Sequence, residues 1–341
     1  MKIVVDKDIP FIEGRFPASV EALYLPASEI TPDRVKEADA IVVRTRTRCD
    51  RWLLENSKVR LIATATIGTD HIDKNWCNSN GIKIVSAPGC NAPGVVQYVY
   101  ASLLSSGFDP SNHTLGIIGY GNVGKLIGEW AHSLGIKILI NDPPLQENNL
   151  MEEKENRGDF VFSDLDTLLQ NSDAVTLHVP LTAGGKYPTL KLIGGKELNK
   201  MKSGAILINS SRGGVVEERA LKEAISNSSI KAIIDVWENE PYIDRTLLEM
   251  VEIGTPHIAG YSLEGKKRGT RMALEAISEF FNLQIDFDGL STPSLYSPQH
   301  ILTPDTIKAS YNPVADSEKL KRDPSSFESL RNSYSYRQEL N

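Results

Sequence analysis

The chain has few cysteines and no long apolar run, and both absences narrow the classes of protein to which it can belong. Its 341 residues include only Cys49, Cys77 and Cys90, and no two of them form a Cys-x-x-Cys pair. We therefore expect no disulfide framework and no metal site, and we expect a reducing cytoplasm. No run reaches the roughly 20 apolar residues of a membrane-spanning helix. Residues 1–6 read as a first core strand rather than as a secretion signal.

The chain also lacks an excess of positive charge. It carries 37 Lys and Arg against 44 Asp and Glu, which gives a formal net charge of -7. This balance argues against nucleic acid or an anionic membrane as the main partner. The length predicts two or three domains, and the 40% hydrophobic content is ordinary for a globular protein.

Short apolar runs alternate with helical patterns along most of the chain. This alternation is typical of βαβ units, and runs without polar alternation indicate strands that are buried on both faces. The predicted strands are residues 2–5, 40–43, 61–65 and 82–85, followed by 115–118, 136–140, 174–178, 205–208 and 230–234. Because the series starts twice, we predict an α/β fold of two doubly wound parallel-sheet domains.

The domain boundaries are predicted from the remaining patterns. Helical patterns at 92–105 and 264–283 would cross between the domains, so the first domain takes residues 1–98 and 264–285 and the second takes 99–263. The composition then becomes rich in proline, and the rest is too short to bury a core of its own. We interpret residues 286–341 as a small C-terminal dimerisation element; the alternative is a disordered or wrapping tail.

A glycine-rich loop follows the fifth predicted strand. Residues 119–124 read GYGNVG and open a predicted helix at 123–134. The first glycine permits a tight turn, the second lets a pyrophosphate approach the backbone, and the third lets helix and strand pack closely. Amides at the helix N-terminus would face the phosphates. The predicted cofactor contacts here are Gly119, Gly121, Asn122, Val123 and Gly124.

An aspartate follows the next predicted strand. Asp142 is placed to bind the adenosine ribose hydroxyls and would repel a 2′-phosphate, which favours NAD over NADP. Asp235, at the end of the predicted strand 230–234, could bind the nicotinamide carboxamide, and Val179 and Gly260 complete the predicted cofactor contacts. The structural alternative is a glycine-rich turn beside a solvated aspartate.

Three short segments of the second half supply an arginine, a glutamate and a histidine. Arg212 follows a predicted strand at the carboxyl edge of the sheet, where its planar fork would bind a carboxylate. His257 would accept a hydroxyl proton, and Glu240 would orient the imidazole and make it more basic. Each residue also has a structural interpretation, as a surface arginine, a solvated turn or a packed loop histidine. Their order after a nucleotide loop favours the oxidation of a 2-hydroxy acid.

At these residues the chain resembles the D-isomer-specific 2-hydroxyacid dehydrogenases, across roughly residues 1–285. The resemblance implies two Rossmann-like domains with an active-site cleft between them, of which the first binds substrate and the second binds NAD. It also implies that Arg212 binds substrate, Glu240 orients the histidine and His257 is the acid/base.

Further segments are similar to one subfamily of these enzymes. The resemblance implies NAD-dependent oxidation of 4-phospho-D-erythronate to (R)-3-hydroxy-2-oxo-4-phosphooxybutanoate in pyridoxal 5′-phosphate biosynthesis. It also implies substrate contacts by Thr45, Thr66 and Tyr261, and a homodimer formed through the C-terminal element. The matching segments are residues 63–71, 86–92, 141–144, 254–266 and 311–331.

A phosphorylated substrate needs a local cationic site. Arg44, Arg46 and Arg48 alternate at a strand end and would project the same way in an extended segment. We therefore predict that Arg44 or Arg46 binds the substrate phosphate, with Lys266 and Arg268 as rivals and a solvated strand edge as the structural alternative.

Two other functions are weighed against this one. The first is another D-2-hydroxyacid dehydrogenase, such as one acting on 3-phosphoglycerate. The second is an NAD-sensing binding protein of the same fold, since fold alone does not decide function. The presence of all three catalytic residue types argues against a pure binding protein.

Overall fold

The computed structural model describes residues 1–147, 160–227, 229–293 and 302–340, and the chain divides into two compact units. The first unit is formed by the described parts of 1–91 and 262–294, and the second by those of 92–261 and 295–341. Part of the predicted dimerisation element, at 294–301 and 341, lies outside the described residues. No helix in the described ranges is long and apolar enough to cross a bilayer.

Strands and helices alternate through most of the described chain. The strands are β1 Lys2–Asp6, β2 Glu21–Leu25, β3 Ala40–Val43, β4 Leu61–Thr64, β5 Lys83–Val85, β6 Thr114–Ile118, β7 Lys137–Asn141, β8 Phe160–Phe162, β9 Ala174–Leu177, β10 Ala205–Asn209, β11 Ile230–Ile234 and β12 Ile253–Gly254. The helices are α1 Pro32–Val35, α2 Arg51–Leu54, α3 Lys74–Ser79, α4 Ala92–Ser105, α5 Asn122–Ser133, α6 Pro143–Glu147, α7 Leu165–Asn171, α8 Gly195–Leu198, α9 Glu218–Ser226, α10 Arg245–Met250, α11 Leu263–Phe281, α12 Pro304–Ser310, α13 Pro313–Arg322 and α14 Phe327–Asn332.

The first unit is built on a five-stranded parallel sheet of order β2-β1-β3-β4-β5. Alternate strand residues face opposite cores: Ile41 and Val43 belong to one, and Val42 belongs to the other together with Leu274 of α11. The sheet is therefore covered on both faces, as the apolar runs predict.

The second unit is built on a seven-stranded parallel sheet of order β12-β11-β10-β9-β6-β7-β8. Ile117 packs into the core that contains α4 and α5, whereas Ile118 packs into the core that contains α9 and α10. Strand order reverses between β6 and β9, and in such sheets ligands bind outside the carboxyl ends of the strands at that point. The predicted α/β fold with two parallel-sheet units is confirmed.

The C-terminal tail, residues 302–340, packs against the second unit. Ile307 and Tyr311 join the core on one face of the sheet, and Leu320 and Phe327 join the core on the other. The backbone amide of Gly254, in β12, donates to Ser317 Oγ at 2.9 Å. The tail thus covers the edge of the sheet at β12, which would otherwise expose unpaired backbone groups.

Candidate active site

The glycine loop between β6 and α5 has the shape that a dinucleotide requires. Gly119 has a φ of 88°, and a Cβ there would lie 2.7 Å from the carbonyl oxygen of His178. A Cβ on Gly124 would lie 2.2 Å from the carbonyl oxygen of Gly119, so α5 packs tightly on the loop. Around Gly121, in contrast, nothing lies within 4 Å of that position. The loop is closed where helix and strand meet and open where a pyrophosphate would approach.

The other predicted cofactor residues in this region surround the same loop. Asp142 follows β7, and its carboxylate accepts hydrogen bonds from the amides of Tyr120 (2.7 Å) and Leu145 (3.0 Å). Val179 lies against Gly119, with its Cγ1 2.8 Å from where a Cβ would be. Asn122, which is exposed, and Val123 begin α5, so their amides lie at the helix N-terminus.

Arg212 lies in a loop that the last residue of β10 organises. The buried Asn209 side chain accepts hydrogen bonds from Ser211 N (3.1 Å) and Ser211 Oγ (2.8 Å) and donates to the carbonyl oxygen of Arg212 at 2.9 Å. Arg212 Nη1 donates to the carbonyl oxygen of Ser211 at 2.8 Å, and the side chain is partly exposed. Asn209 was not predicted, although its position at a strand end was a usable signal.

The loops that follow β10 and β11 touch each other. A Cβ on Gly213 would lie 2.0 Å from the carbonyl oxygen of Trp237, which only glycine permits. Trp237 Nε1 donates to the carbonyl oxygen of Thr255 at 2.9 Å, and its amide donates to Glu240 Oε1 at 2.9 Å. The buried Trp237 therefore joins the loop of Arg212, the loop of Glu240 and the histidine loop, which we define as residues 255–261.

Glu240 and His257 form a direct pair. His257 Nδ1 lies 2.8 Å from Glu240 Oε2, with 31% of the histidine side chain and 19% of the glutamate side chain exposed. Burial alone would raise the pKa of Glu240, but the hydrogen bond and charge of His257 and the amide of Trp237 outweigh it and lower that pKa. An ionised Glu240 accepts from Nδ1–H, so Nε2 is the nitrogen that is available to exchange a proton.

Asp235 holds the histidine loop in an unusual backbone conformation. His257 has a φ of 56°, in the left-handed region that non-glycine residues rarely adopt. Its amide donates to the carbonyl oxygen of Asp235 at 2.8 Å. The buried Asp235 carboxylate accepts from Thr255 Oγ1 (2.6 Å), Ile258 N (2.8 Å) and Ala259 N (2.9 Å). Burial raises the pKa of Asp235, while the charge of His257 opposes the rise. A nicotinamide contact by Asp235, and one by the partly exposed Gly260, stay predictions.

Two arginines of the tail reach the histidine loop, and the sequence did not predict either one. Arg331 Nε donates to Tyr261 Oη at 3.1 Å. Arg337 donates to the carbonyl oxygens of Ile258 (3.2 Å), Tyr261 (3.3 Å) and Ala259. Each partner is more than 65 residues away along the chain, so no local pattern could have indicated the contact.

The predicted substrate residues of the first unit lie near the carboxyl ends of β3 and β4. Thr45 is exposed, and Thr66 Oγ1 lies 2.7 Å from Thr64 Oγ1. Arg44 forms ion pairs with the buried Asp6 (3.0 Å) and with Asp8 (3.0 Å).

The other basic residues that were predicted to bind phosphate differ in exposure. Arg46 is exposed and Lys266 is partly exposed. Arg268 is buried, and its Nε donates to the carbonyl oxygen of Cys90 at 2.8 Å. The structure thus places the Glu240–His257 pair and the glycine loop in the second unit, and Arg44, Arg46, Thr45 and Thr66 in the first.

Comparison with known proteins identifies the family. The family model described as "D-isomer specific 2-hydroxyacid dehydrogenase, NAD binding domain" matches residues 99–259. An erythronate-4-phosphate dehydrogenase from Bacteroides thetaiotaomicron is 45% identical, over 99% of this chain and 97% of that protein. Another from Escherichia coli O1:K1 is 42% identical, over 82% of this chain and 73% of that protein.

A solved structure agrees with these relatives. The NAD+-bound 3-phosphoglycerate dehydrogenase of Entamoeba histolytica is 25% identical, with a TM-score of 0.66, and the match covers 83% of this chain and 96% of that one. The predicted cofactor is confirmed: the second unit binds NAD, and the glycine loop fits it. The chain belongs to the D-isomer specific 2-hydroxyacid dehydrogenase family, in the group that contains the erythronate-4-phosphate dehydrogenases.

Proposed function

We propose that this protein catalyses the NAD-dependent oxidation of 4-phospho-D-erythronate to (R)-3-hydroxy-2-oxo-4-phosphooxybutanoate, a step of pyridoxal 5′-phosphate biosynthesis. The observation that carries the proposal is the 45% identity to an erythronate-4-phosphate dehydrogenase over 99% of the chain. The hydrogen-bonded Glu240 and His257 supply the acid/base chemistry that such an oxidation needs.

In the proposed reaction, residues of the second unit bind the substrate carboxylate and transfer the proton. Arg212 binds the substrate carboxylate through its planar guanidinium. His257 Nε2 accepts the proton of the C2 hydroxyl as the C2–H bond breaks, and Glu240 stabilises the imidazolium that results. NAD, when bound, accepts the hydride. One proton thus passes to His257 and one hydride to the cofactor, which together account for the two hydrogen atoms that the substrate loses.

The cofactor contacts are proposed from the same unit. The open space at Gly121 would take the pyrophosphate, with the amides of Asn122 and Val123 facing it. Asp142 would bind the ribose hydroxyls, and its charge disfavours a 2′-phosphate. The nicotinamide would lie near Asp235; Gly119, Gly124, Val179 and Gly260 complete the set.

The proposed substrate contacts of the first unit are Thr45, Thr66 and one arginine. The arginine is Arg44, which is paired with the carboxylates of Asp6 and Asp8, or Arg46, which is exposed. Tyr261 is the proposed substrate contact on the second unit.

The test is NADH formation by the purified protein with NAD and 4-phospho-D-erythronate, with 3-phosphoglycerate in parallel. The 2-oxo product must be trapped, because oxidation of a hydroxy acid is uphill near neutral pH. We expect a strong preference for phosphoerythronate and loss of turnover in His257→Asn. A preference for phosphoglycerate would overturn the substrate assignment, and failure of both substrates would support an NAD-binding protein without this activity.

We also propose a homodimer formed through residues 286–341, and a cytoplasmic location. The buried thiols Cys49, Cys77 and Cys90 suit a reducing compartment. The mass of one chain is 37.6 kDa, and light scattering should give twice that value. A monomer at working concentration would contradict the dimer without affecting the proposed reaction.

A further inference from the structure

Among the described residues, Arg337 makes the largest number of hydrogen bonds between the C-terminal tail and the histidine loop. Arg337 donates to the carbonyl oxygens of Ile258, Ala259 and Tyr261, and also to Gly94 at 2.8 Å. Its guanidinium carbon lies 4.3 Å from the centre of the Tyr311 ring. A guanidinium that satisfies several backbone carbonyls in fixed directions holds both partners in register. The tail therefore lies against the loop that follows His257 in a defined position.

This anchoring brings a second arginine to the residue that is predicted to contact substrate. Arg331 Nε donates to Tyr261 Oη at 3.1 Å. The Tyr261 ring also packs against two tyrosines of the tail, with centroid separations of 6.0 Å to Tyr334 and 6.3 Å to Tyr336. The orientation of the Tyr261 side chain is thus set by the tail.

The charge of Arg331 is only loosely balanced by a carboxylate. Its side chain is 17% exposed, and Glu328, whose side chain is 40% exposed, lies 3.7 Å from Nη1. That separation is too long for a hydrogen bond. Burial opposes the charge of Arg331, but Tyr261 and Glu240 favour it and its pKa is raised. A largely buried cation whose ion pair with Glu328 is longer than a hydrogen bond is suited to an anionic ligand.

We propose that Arg331, together with the hydroxyl of Tyr261, binds the phosphate group of the substrate in addition to the arginine proposed from the first unit, so that the C-terminal tail contributes to specificity at its own chain's catalytic site. The inference rests on the proposed function and names a further specificity residue for it. In 4-phospho-D-erythronate the phosphate is two carbons and an ester oxygen away from the reacting C2. Arg331 donates to Tyr261, and its charge interacts with Glu240, the hydrogen-bond partner of His257. It therefore lies near the residues proposed to act on C2, and its guanidinium can bind a phosphate bidentately.

The experiment compares Arg331→Gln, Arg331→Lys and Tyr261→Phe with the parent. Arg322→Gln is the matched control, because Arg322 is an exposed arginine of the same tail. Steady-state kcat and KM are measured for 4-phospho-D-erythronate and for unphosphorylated erythronate, and the inhibition constant of inorganic phosphate is measured against each. Thermal unfolding of every variant checks the fold.

We expect Arg331→Gln to raise KM for the phosphorylated substrate and the inhibition constant of phosphate by about 10- to 100-fold, as loss of a charge-assisted bond predicts. Turnover of erythronate should fall much less than turnover of the phosphorylated substrate, because only the latter loses a phosphate contact. Arg331→Lys should retain part of the selectivity, and Arg322→Gln should match the parent. Equal losses on both substrates, or unchanged phosphate inhibition, would overturn the proposal.

Two further outcomes keep the tests separable. Should Arg331→Gln not fold, Tyr261→Phe decides, because it removes one donor and leaves the charge; unchanged phosphate selectivity and inhibition in that variant overturn the shared subsite. Failure of the proposed function has a different signature, since the unmodified protein would then not oxidise 4-phospho-D-erythronate at all.

Discussion

Glu218 contacts the loop that carries Glu240, and its ionisation should make the stability of the protein depend on pH. It begins α9, and its Oε1 accepts a hydrogen bond from the amide of Glu238 at 2.7 Å, two residues before Glu240. Burial raises the pKa of Glu218 from 4.5 to about 7, and the charges of Glu238 and Asp244 add to the rise. Because the folded pKa lies above the unfolded one, the stabilisation is complete below about pH 4.5 and is lost as the pH rises through 7.

The magnitude follows from the two pKa values. A rise from 4.5 to about 7 corresponds to about 3 kcal/mol of unfolding free energy for a fully buried group. Glu218 keeps part of its surface in water, and solvent screening reduces this to about 1–2 kcal/mol. Glu218→Gln retains an oxygen acceptor for the Glu238 amide but cannot ionise. The variant should therefore be more stable than the parent above neutral pH, and the difference should vanish in acid.

The assay is thermal unfolding near pH 5 and near pH 8.5, where the free-energy difference predicts a gain in Tm of about 1–3 °C at the higher pH for a chain of 341 residues. The control is Glu223→Gln, an exposed glutamate of the same helix, which should leave Tm unchanged at both values. A difference between Glu218→Gln and the parent that is equal at both pH values would refute the reasoning.

Two further predictions separate folding from function. Gly124→Ala should lower Tm, because the new Cβ meets the backbone oxygen of Gly119 at 2.2 Å, whereas Gly121→Ala should leave Tm unchanged and raise KM for NAD, because its Cβ enters the open space. Equal effects of both on Tm would contradict that picture. Glu240→Gln should lower kcat by about 10- to 100-fold by weakening the bond to His257, with little loss of Tm; unchanged kcat would remove Glu240 from the mechanism.

The fold and the cofactor were predictable because their signals are local in sequence. A strand that is buried on both faces reads as an uninterrupted apolar run, and the predicted strands 40–43 and 230–234 agree with β3 and β11 to the residue. The spacing of the glycines in residues 119–124 predicted a dinucleotide-binding loop. A side chain at Gly119 or Gly124 would clash with the backbone, and one at Gly121 would enter the open space. The predictions of the family, of the α/β fold and of NAD are confirmed.

Other elements were missed for physical reasons. The edge strand β2 is mostly half-exposed, so its four apolar residues do not stand out as a strand buried on both faces, and β12 has only two residues. The tail helices α12 and α13 are short and carry few buried residues each, so their apolar spacing is weak. The contacts of Arg331 and Arg337 join segments that are far apart in the sequence, and local sequence patterns do not indicate such contacts.

The loops that carry Arg212, Glu240 and His257 are held by the same kind of contact, a hydrogen bond from a backbone amide to a side-chain oxygen. Asn209, Asp235, Glu218 and Glu240 each accept a hydrogen bond from a backbone amide of an irregular segment at the carboxyl edge of the sheet. Irregular backbone near a buried site needs such partners, because an unpaired amide there costs about as much as a lost hydrogen bond. The carboxylates of Asp235 and Glu240 also interact with His257 through their charge, so removing either one changes the geometry of the loop and the electrostatics around His257 together. Asp235 and Glu240 therefore cannot be assigned a purely catalytic or a purely structural role from an alanine substitution. The amide variants, which keep an acceptor and remove the charge, separate the two effects.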